Sequence, residues 1–234
     1  MAEIPRRPES PAELPLLPRQ LRWFNIEKIY PGATSPQVQL SFRLRGPLDV
    51  DAWLRAVAAV VDRHEGLRTR FHTAETGPVQ VVEPPRTLEV ERVEAGSTEE
   101  ARELLVSRPA GFDLERGDLV RSCLVRLADD DHLWTFTVHH IAADGASLAV
   151  IERDLTLLYR AFAAGGTPRL PELPVTPADY AVWRAVNHRP EHDEDHRKFW
   201  RKQLAGVPVL DLRTDRPRPD RKGAPTAQVH QVLG

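Results

Sequence analysis

The sequence predicts an α/β fold of the α+β kind: a mixed β-sheet with helices packed on it. Three observations carry this. Residues 37–45 alternate apolar and polar, residues 50–61 repeat apolar side chains at helical spacing, and two strand patterns at 119–127 and 132–139 run straight into a periodic helix after Gly145. Alternating strands and helices call for a sheet covered by helices. The hairpin and the short meandering strands argue against a purely parallel sheet.

Each element has a local cause. Residues 1–15 are rich in Pro and charge and read as a flexible leader, with one lobe over 16–234. A short helix is expected over 16–30, ended by Pro31-Gly32. In the next strand Val38, Leu40, Phe42 and Leu44 share a face, and Gly46-Pro47 breaks it. Asp49 is placed to cap a helix whose stripe is Val50, Trp53, Leu54, Val57, Val60 and Val61, with Gly66 as its stop. Short strands are expected at 67–72 and 79–82 around Gly77-Pro78, and a third at 88–93. Ser97 opens a helix through Ser107, with Glu99 and Glu100 suited to its first turn.

The hairpin turns at Asp129, Asp130 and Asp131. Leu148, Ile151, Leu155, Leu158 and Phe162 then step by three or four until Gly165-Gly166. Two further helices are expected near 177–186 and 190–204. The Pro- and Arg-rich stretch 213–225 reads as an exposed crossing loop, and 227–233 begins a strand pattern as the sequence closes at Gly234. No internal repeat is evident.

Of the 234 residues 41% are apolar and 28% charged, with a net charge of −2, so nothing in the balance recruits nucleic acid or a membrane surface. The single cysteine, Cys123, excludes an intramolecular disulfide and a multi-cysteine metal site. It is in phase with Leu119, Val125 and Leu127 and is expected in the core. No run has signal-peptide or transmembrane length, so a cytoplasmic protein is expected.

The run His139-His140-Ile141-Ala142-Ala143-Asp144-Gly145 sits at a strand–helix junction, where side chains are held rigidly yet remain reachable. His140 is in phase with Trp134, Phe136 and Val138, and His139 with Leu133, Thr135 and Thr137. If the strand persists through both, the imidazoles face opposite sides and only one can meet a substrate. Asp144 can cap the following helix or pair with an arginine, and Gly145 permits close approach to a ligand. Amides at a helix start can stabilise developing negative charge, while an imidazole can order a nucleophile and accept its proton. The bland reading is a structural histidine pair. Zinc on His139, His140 and Asp144 is opposed by the two ring directions. A triad of Ser147, His140 and Asp144 lacks a nucleophile elbow. His64-Glu65 lacks the second histidine of a zinc-protease motif and reads as helix-end structure, and Trp53 reads as core.

HHxxxDG is the signature of the condensation domains of nonribosomal peptide synthetases, and further segments resemble the same family in order. The segment Asp62-Arg63-His64-Glu65-Gly66-Leu67-Arg68-Thr69-Arg70-Phe71 resembles RHExLRTxF, and Asp179-Tyr180-Ala181-Val182-Trp183 resembles DYAxW. Phe199-Trp200 with Gln203-Leu204-Ala205-Gly206 resembles the helix that follows, and Leu212-Arg213-Thr214-Asp215-Arg216-Pro217-Arg218-Pro219 resembles LPTDRPRP. The first motif, roughly SxAQxRLW, is partly present: Gln20 and Arg22 fit, while Leu17 and Arg19 replace small residues. Ala143 stands where Ser is common, Ala146 where Trp is common, and Pro177 at the usual tyrosine position.

The resemblance implies one chloramphenicol-acetyltransferase-like lobe, an acyltransferase without a bound cofactor or metal, and substrates carried as phosphopantetheine thioesters on carrier proteins. It implies His140 as the working side chain of a candidate catalytic set with His139, Asp144 and Gly145, with the aspartate held by an arginine, for which Arg68 is the candidate. Whole condensation domains pair two lobes around a channel, so a C-terminal lobe, its own or a partner's, is an expected partner, and little or no turnover is expected of this lobe alone. An ester-forming acyltransferase, an epimerase sharing the motif and a non-catalytic docking lobe remain as alternatives.

Overall fold

The computed structural model describes residues 4–8, 12–31, 37–106, 111–208 and 210. The chain divides into two compact units, residues 1–188 and 189–234. The first holds β1 (Leu14–Pro15), α1 (Pro18–Ile29), β2 (Gln37–Arg45), α2 (Val50–Arg63), β3 (Thr69–Ala74), β4 (Gly77–Val82), β5 (Glu91–Glu94), α3 (Thr98–Val106), β6 (Val120–Ala128), β7 (Asp131–His139), α4 (Gly145–Ala163) and α5 (Pro177–Asn187). The second holds α6 (Pro190–Gln203). The expected crossing loop and the strand pattern at 227–233 lie outside the described residues, as does Ser107.

Two sheets form. One has the order β1-β4-β3 and the other β2-β7-β6-β5, antiparallel throughout except for β5 alongside β6. This is the mixed sheet-and-helix class that the sequence predicts. On the larger sheet Val120 and Leu124 of β6 and Trp134, Phe136 and Val138 of β7 join one core with Trp53, Ala56, Val57, Val60 and Val61 of α2 and Ile151, Leu155 and Leu158 of α4. The apolar stripes of α2 and α4 therefore bury against a single face. The other residues of β6, Cys123 and Val125, pack with Ala95 and Ala101 in a smaller cluster. Cys123 is buried as expected, but Leu119 precedes the strand and belongs to the larger core.

Capping accounts for where α2 and α3 begin. Asp49 accepts from the Ala52 amide at 2.9 Å, and Ser97 Oγ accepts from the Glu100 amide at 3.1 Å. After α4, Gly165 takes φ of +69°, and the amides of Gly165 and Gly166 donate back to Phe162 and Ala161. Gly66 does not stop α2 in this way. The helix ends at Arg63, His64 follows, and Glu65–Arg68 form one 3-10 turn. A Cβ at Gly66 would lie 3.4 Å from the Ala142 carbonyl, so this glycine sits against the loop that follows the two histidines.

The segment expected as a flexible leader makes long-range contacts through its described residues. Arg7 binds Glu65 at 2.9 Å and Asp179 at 3.0 Å, and Leu14 and Pro15 pair with Gln80 and Val79 of β4. Composition alone missed this because the order comes from distant charges, Glu65 on the turn after α2 and Asp179 on α5.

Candidate active site

β7 delivers His139 and stops. His139 is its last residue and is fully buried, whereas His140 is half-buried in the turn that leads to α4. The expectation of opposed faces assumed that the strand runs through both residues. In phase, His140 would have faced the packed core beside Val138. The turn releases it, so one imidazole is enclosed and the other partly open for a reason other than strand alternation.

His139 is set by its surroundings. Its Nδ1 accepts from the Ile141 amide at 3.0 Å, which puts the proton of the neutral ring on Nε2. That nitrogen is buried without a hydrogen-bond partner among the described residues, 3.8 Å from Glu27 Oε2. Phe112 stands edge-on at 5.4 Å. Burial, with the neighbouring His140, pushes the His139 pKa down to about 4. A neutral ring that holds the Ile141 amide is a brace for the turn.

His140 lies flat against Trp23 of α1, with ring centroids 4.7 Å apart and planes 17° from parallel. Its Nδ1 is buried without a hydrogen-bond partner among the described residues. No carboxylate among them supports that nitrogen, as the Ser147, His140 and Asp144 triad would require.

Asp144 caps α4. Its Oδ1 accepts from the Ser147 amide at 3.0 Å and hydroxyl at 2.8 Å, and the Ser147 hydroxyl accepts from the Asp144 amide. These bonds, reinforced by Arg19, hold its carboxyl below the usual carboxylate range. Arg19 supplies the guanidinium, at 2.8 Å from Oδ2. The expected pairing with Arg68 is therefore corrected. Arg68 donates to the carbonyls of Asp62, at 3.0 Å, and Glu83, and sits 3.9 Å from Glu65. It ties the 3-10 turn to the end of β4, and these carbonyls occupy its donors. A Cβ at Gly145 would meet nothing within 4 Å, so the glycine leaves open space at the start of α4.

Sequence reasoning missed Trp23 and Asp154. Asp154, fully buried on α4, receives Arg63 at 2.9 Å, Arg153 at 2.8 Å and the His64 ring at 3.0 Å. Burial alone would raise its carboxyl, but the arginine hydrogen bonds hold it below the usual range. His64 is pulled down by burial against the pull of Asp154. An aspartate interrupting the apolar stripe of α4 was the available signal, and Arg63-His64 supplied the matching donors. His64 thus has the helix-end role expected of it.

Similarity to known proteins identifies the family. Residues 11–230 match the family model described as Condensation domain. A linear gramicidin synthase chain of Brevibacillus parabrevis is 36% identical over 211 residues, covering 86% of this chain and 3% of the synthase chain. Phosphinothricin tripeptide synthetase PhsC of Streptomyces viridochromogenes is 36% identical over 224 residues, covering 92% of this chain and 21% of the synthetase. The X-domain solved in complex with OxyB from teicoplanin biosynthesis superposes with a TM-score of 0.80 at 33% identity, over 92% of this chain and 48% of that one. The first condensation domain of the CDA synthetase superposes at 0.73 with 23% identity, over 86% and 52%, and so shares the fold. The chain spans about half the length of these solved domains and a small part of the synthetases. It belongs to the condensation-domain family.

Proposed function

We propose that the chain serves condensation-type acyl transfer in nonribosomal peptide biosynthesis, as one lobe of an acyltransferase. The donor is an acyl or aminoacyl thioester on the phosphopantetheine arm of a carrier protein, and the acceptor is an amine on a second carrier. The observation that carries this reading is a half-buried imidazole, His140, in the turn between β7 and α4 beside the open start of that helix. The amine nitrogen attacks the thioester carbonyl, the carbon–sulfur bond breaks, the thiol leaves and the amine gives up one proton. His140 orders the amine. No carboxylate lies behind Nδ1 among the described residues and a thioester is already activated, so orientation supplies much of the rate. His139 and Asp144 hold the turn and the helix start.

A carrier-protein assay tests this in the native gene product that contains these residues. Donor- and acceptor-loaded carriers are supplied and the joined product measured for wild type and His140→Ala. Loss of product in the variant is expected; full turnover would overturn the reading. A C-terminal lobe, from the same chain or a partner, is the expected second wall of the channel. A second reading has its own support, because the X-domain that superposes at 0.80 was solved with OxyB bound. On that reading the lobe docks another protein and His140→Ala changes nothing.

A further inference from the structure

Arg19, Trp23 and Glu27 are spaced four apart and line one face of α1. Each meets a different member of the His139–Asp144 loop. Arg19 pairs with Asp144 at 2.8 Å, Trp23 stacks on His140 at 4.7 Å, and Glu27 Oε2 lies 3.8 Å from His139 Nε2. The helix itself is anchored from behind. Phe24 is in the core, and Gln20 is buried against Gln80 of β4, 3.1 Å between side-chain amides, while accepting from the Leu17 amide. A rigid helix therefore presents three side chains to one loop.

Aligned on Gln20 and Arg22, the pattern SxAQxRLW places alanine at position 19 and leucine at position 23. Neither could make the contact seen here, since alanine has no charge and leucine no ring. The reach of α1 to Asp144 and His140 comes from residues in which this chain departs from that pattern.

We propose, on the acyl-transfer reading above, that Trp23 is a positioning residue that sets the ring plane of His140. His140 is outside the strand and its Nδ1 has no hydrogen-bond partner among the described residues, so backbone pairing and that nitrogen leave the ring free to turn. The indole face restricts it. Arg19 holds the helix-cap end of the same loop, and the neutral His139 ring holds its strand end. Trp23 also bounds the space on one face of the imidazole, so it sets the side from which a substrate amine can approach.

The test compares Trp23→Leu and Trp23→Phe in the 234-residue chain by proton NMR, with His140→Ala used to assign the signals. In wild type the His140 ring protons are expected at upfield, ring-current-shifted positions, with side-chain couplings of one rotamer. Trp23→Phe should keep part of the shift and the single rotamer; Trp23→Leu should lose both. An unchanged His140 signature in Trp23→Leu overturns the proposal, and circular dichroism confirms that both variants fold. The condensation assay supplies a second readout. A fall in kcat of about tenfold with KM within about twofold supports positioning, restored in part by Trp23→Phe. Unchanged kcat in Trp23→Leu, with His140→Ala inactive, overturns the positioning role and leaves the acyl-transfer reading intact. Full turnover in His140→Ala overturns that reading, and NMR then decides the ring contact alone.

Discussion

The Asp154 cluster and the His139–His140 turn both bury polar side chains at a helix junction, yet only the first satisfies them. Asp154 has three partners, two of them arginines, and joins the end of α2 to the middle of α4. At the turn, one nitrogen of each histidine is buried without a hydrogen-bond partner among the described residues. A completed polar network serves as scaffold, because every charge it buries is compensated. An uncompensated one is tolerated where surrounding structure holds it and where function uses it. The contrast separates the role of the Arg63-His64 pair from that of His139-His140, two histidine-bearing segments of similar residue type.

Removing Asp154 should have the largest effect. Asp154→Ala removes the shared acceptor of part-buried Arg63 and His64 and of exposed Arg153, and should lower unfolding stability by about 3 kcal/mol, read from urea titration. A loss below about 1 kcal/mol would place the cluster with ordinary surface pairs and erase the comparison. The pH dependence of the turn comes next. The His139 pKa, near 4 when folded, lies below the value near 6.5 of an unfolded histidine, so between these the unfolded chain binds more protons. The stability contribution is complete above about pH 6.5 and is lost as pH falls toward 4, roughly 3 kcal/mol for this residue. His64, also lowered, acts in the same direction. Denaturation midpoints at several pH values should show this slope, flattened in His139→Leu.

Arg7→Ala should cost about 2 kcal/mol, since it withdraws donors from buried Asp179 while leaving the Thr176 amide in place. The smallest effect is expected for Arg19→Ala. Both partners of that ion pair are substantially exposed, so stability should change by less than about 1 kcal/mol in thermal melts. A larger loss would mean that Arg19 belongs with the scaffold.

Much of the fold was legible because its signals are local. The alternation at Val38, Leu40, Phe42 and Leu44, the Asp49 cap, the stripe of α4 and its glycine stop all act within a turn or two of chain. The ordered motifs carried the family. Partners across space were less legible. Arg68 was matched to Asp144 on residue type, but both an N-terminal arginine and an arginine within the motif can reach an aspartate on paper. Only packing α1 over the loop selects Arg19. The same packing gives Trp23 its contact with His140, although Trp23 on its own reads as another aromatic of a helix.

The sequence by itself determined the class of fold, the order of the main helices and strands after β1, the membership in the condensation-domain family and the segment from His139 to Gly145 as the candidate site. Periodicity, caps and motif spacing suffice for these because they are properties of neighbouring residues. Tertiary structure decided which imidazole is enclosed, which arginine holds Asp144, and that Asp154 locks α2 to α4. Those outcomes depend on where a strand ends and which helix covers a turn. They follow from burial and hydrogen-bond satisfaction among residues far apart in the chain, which no local pattern records.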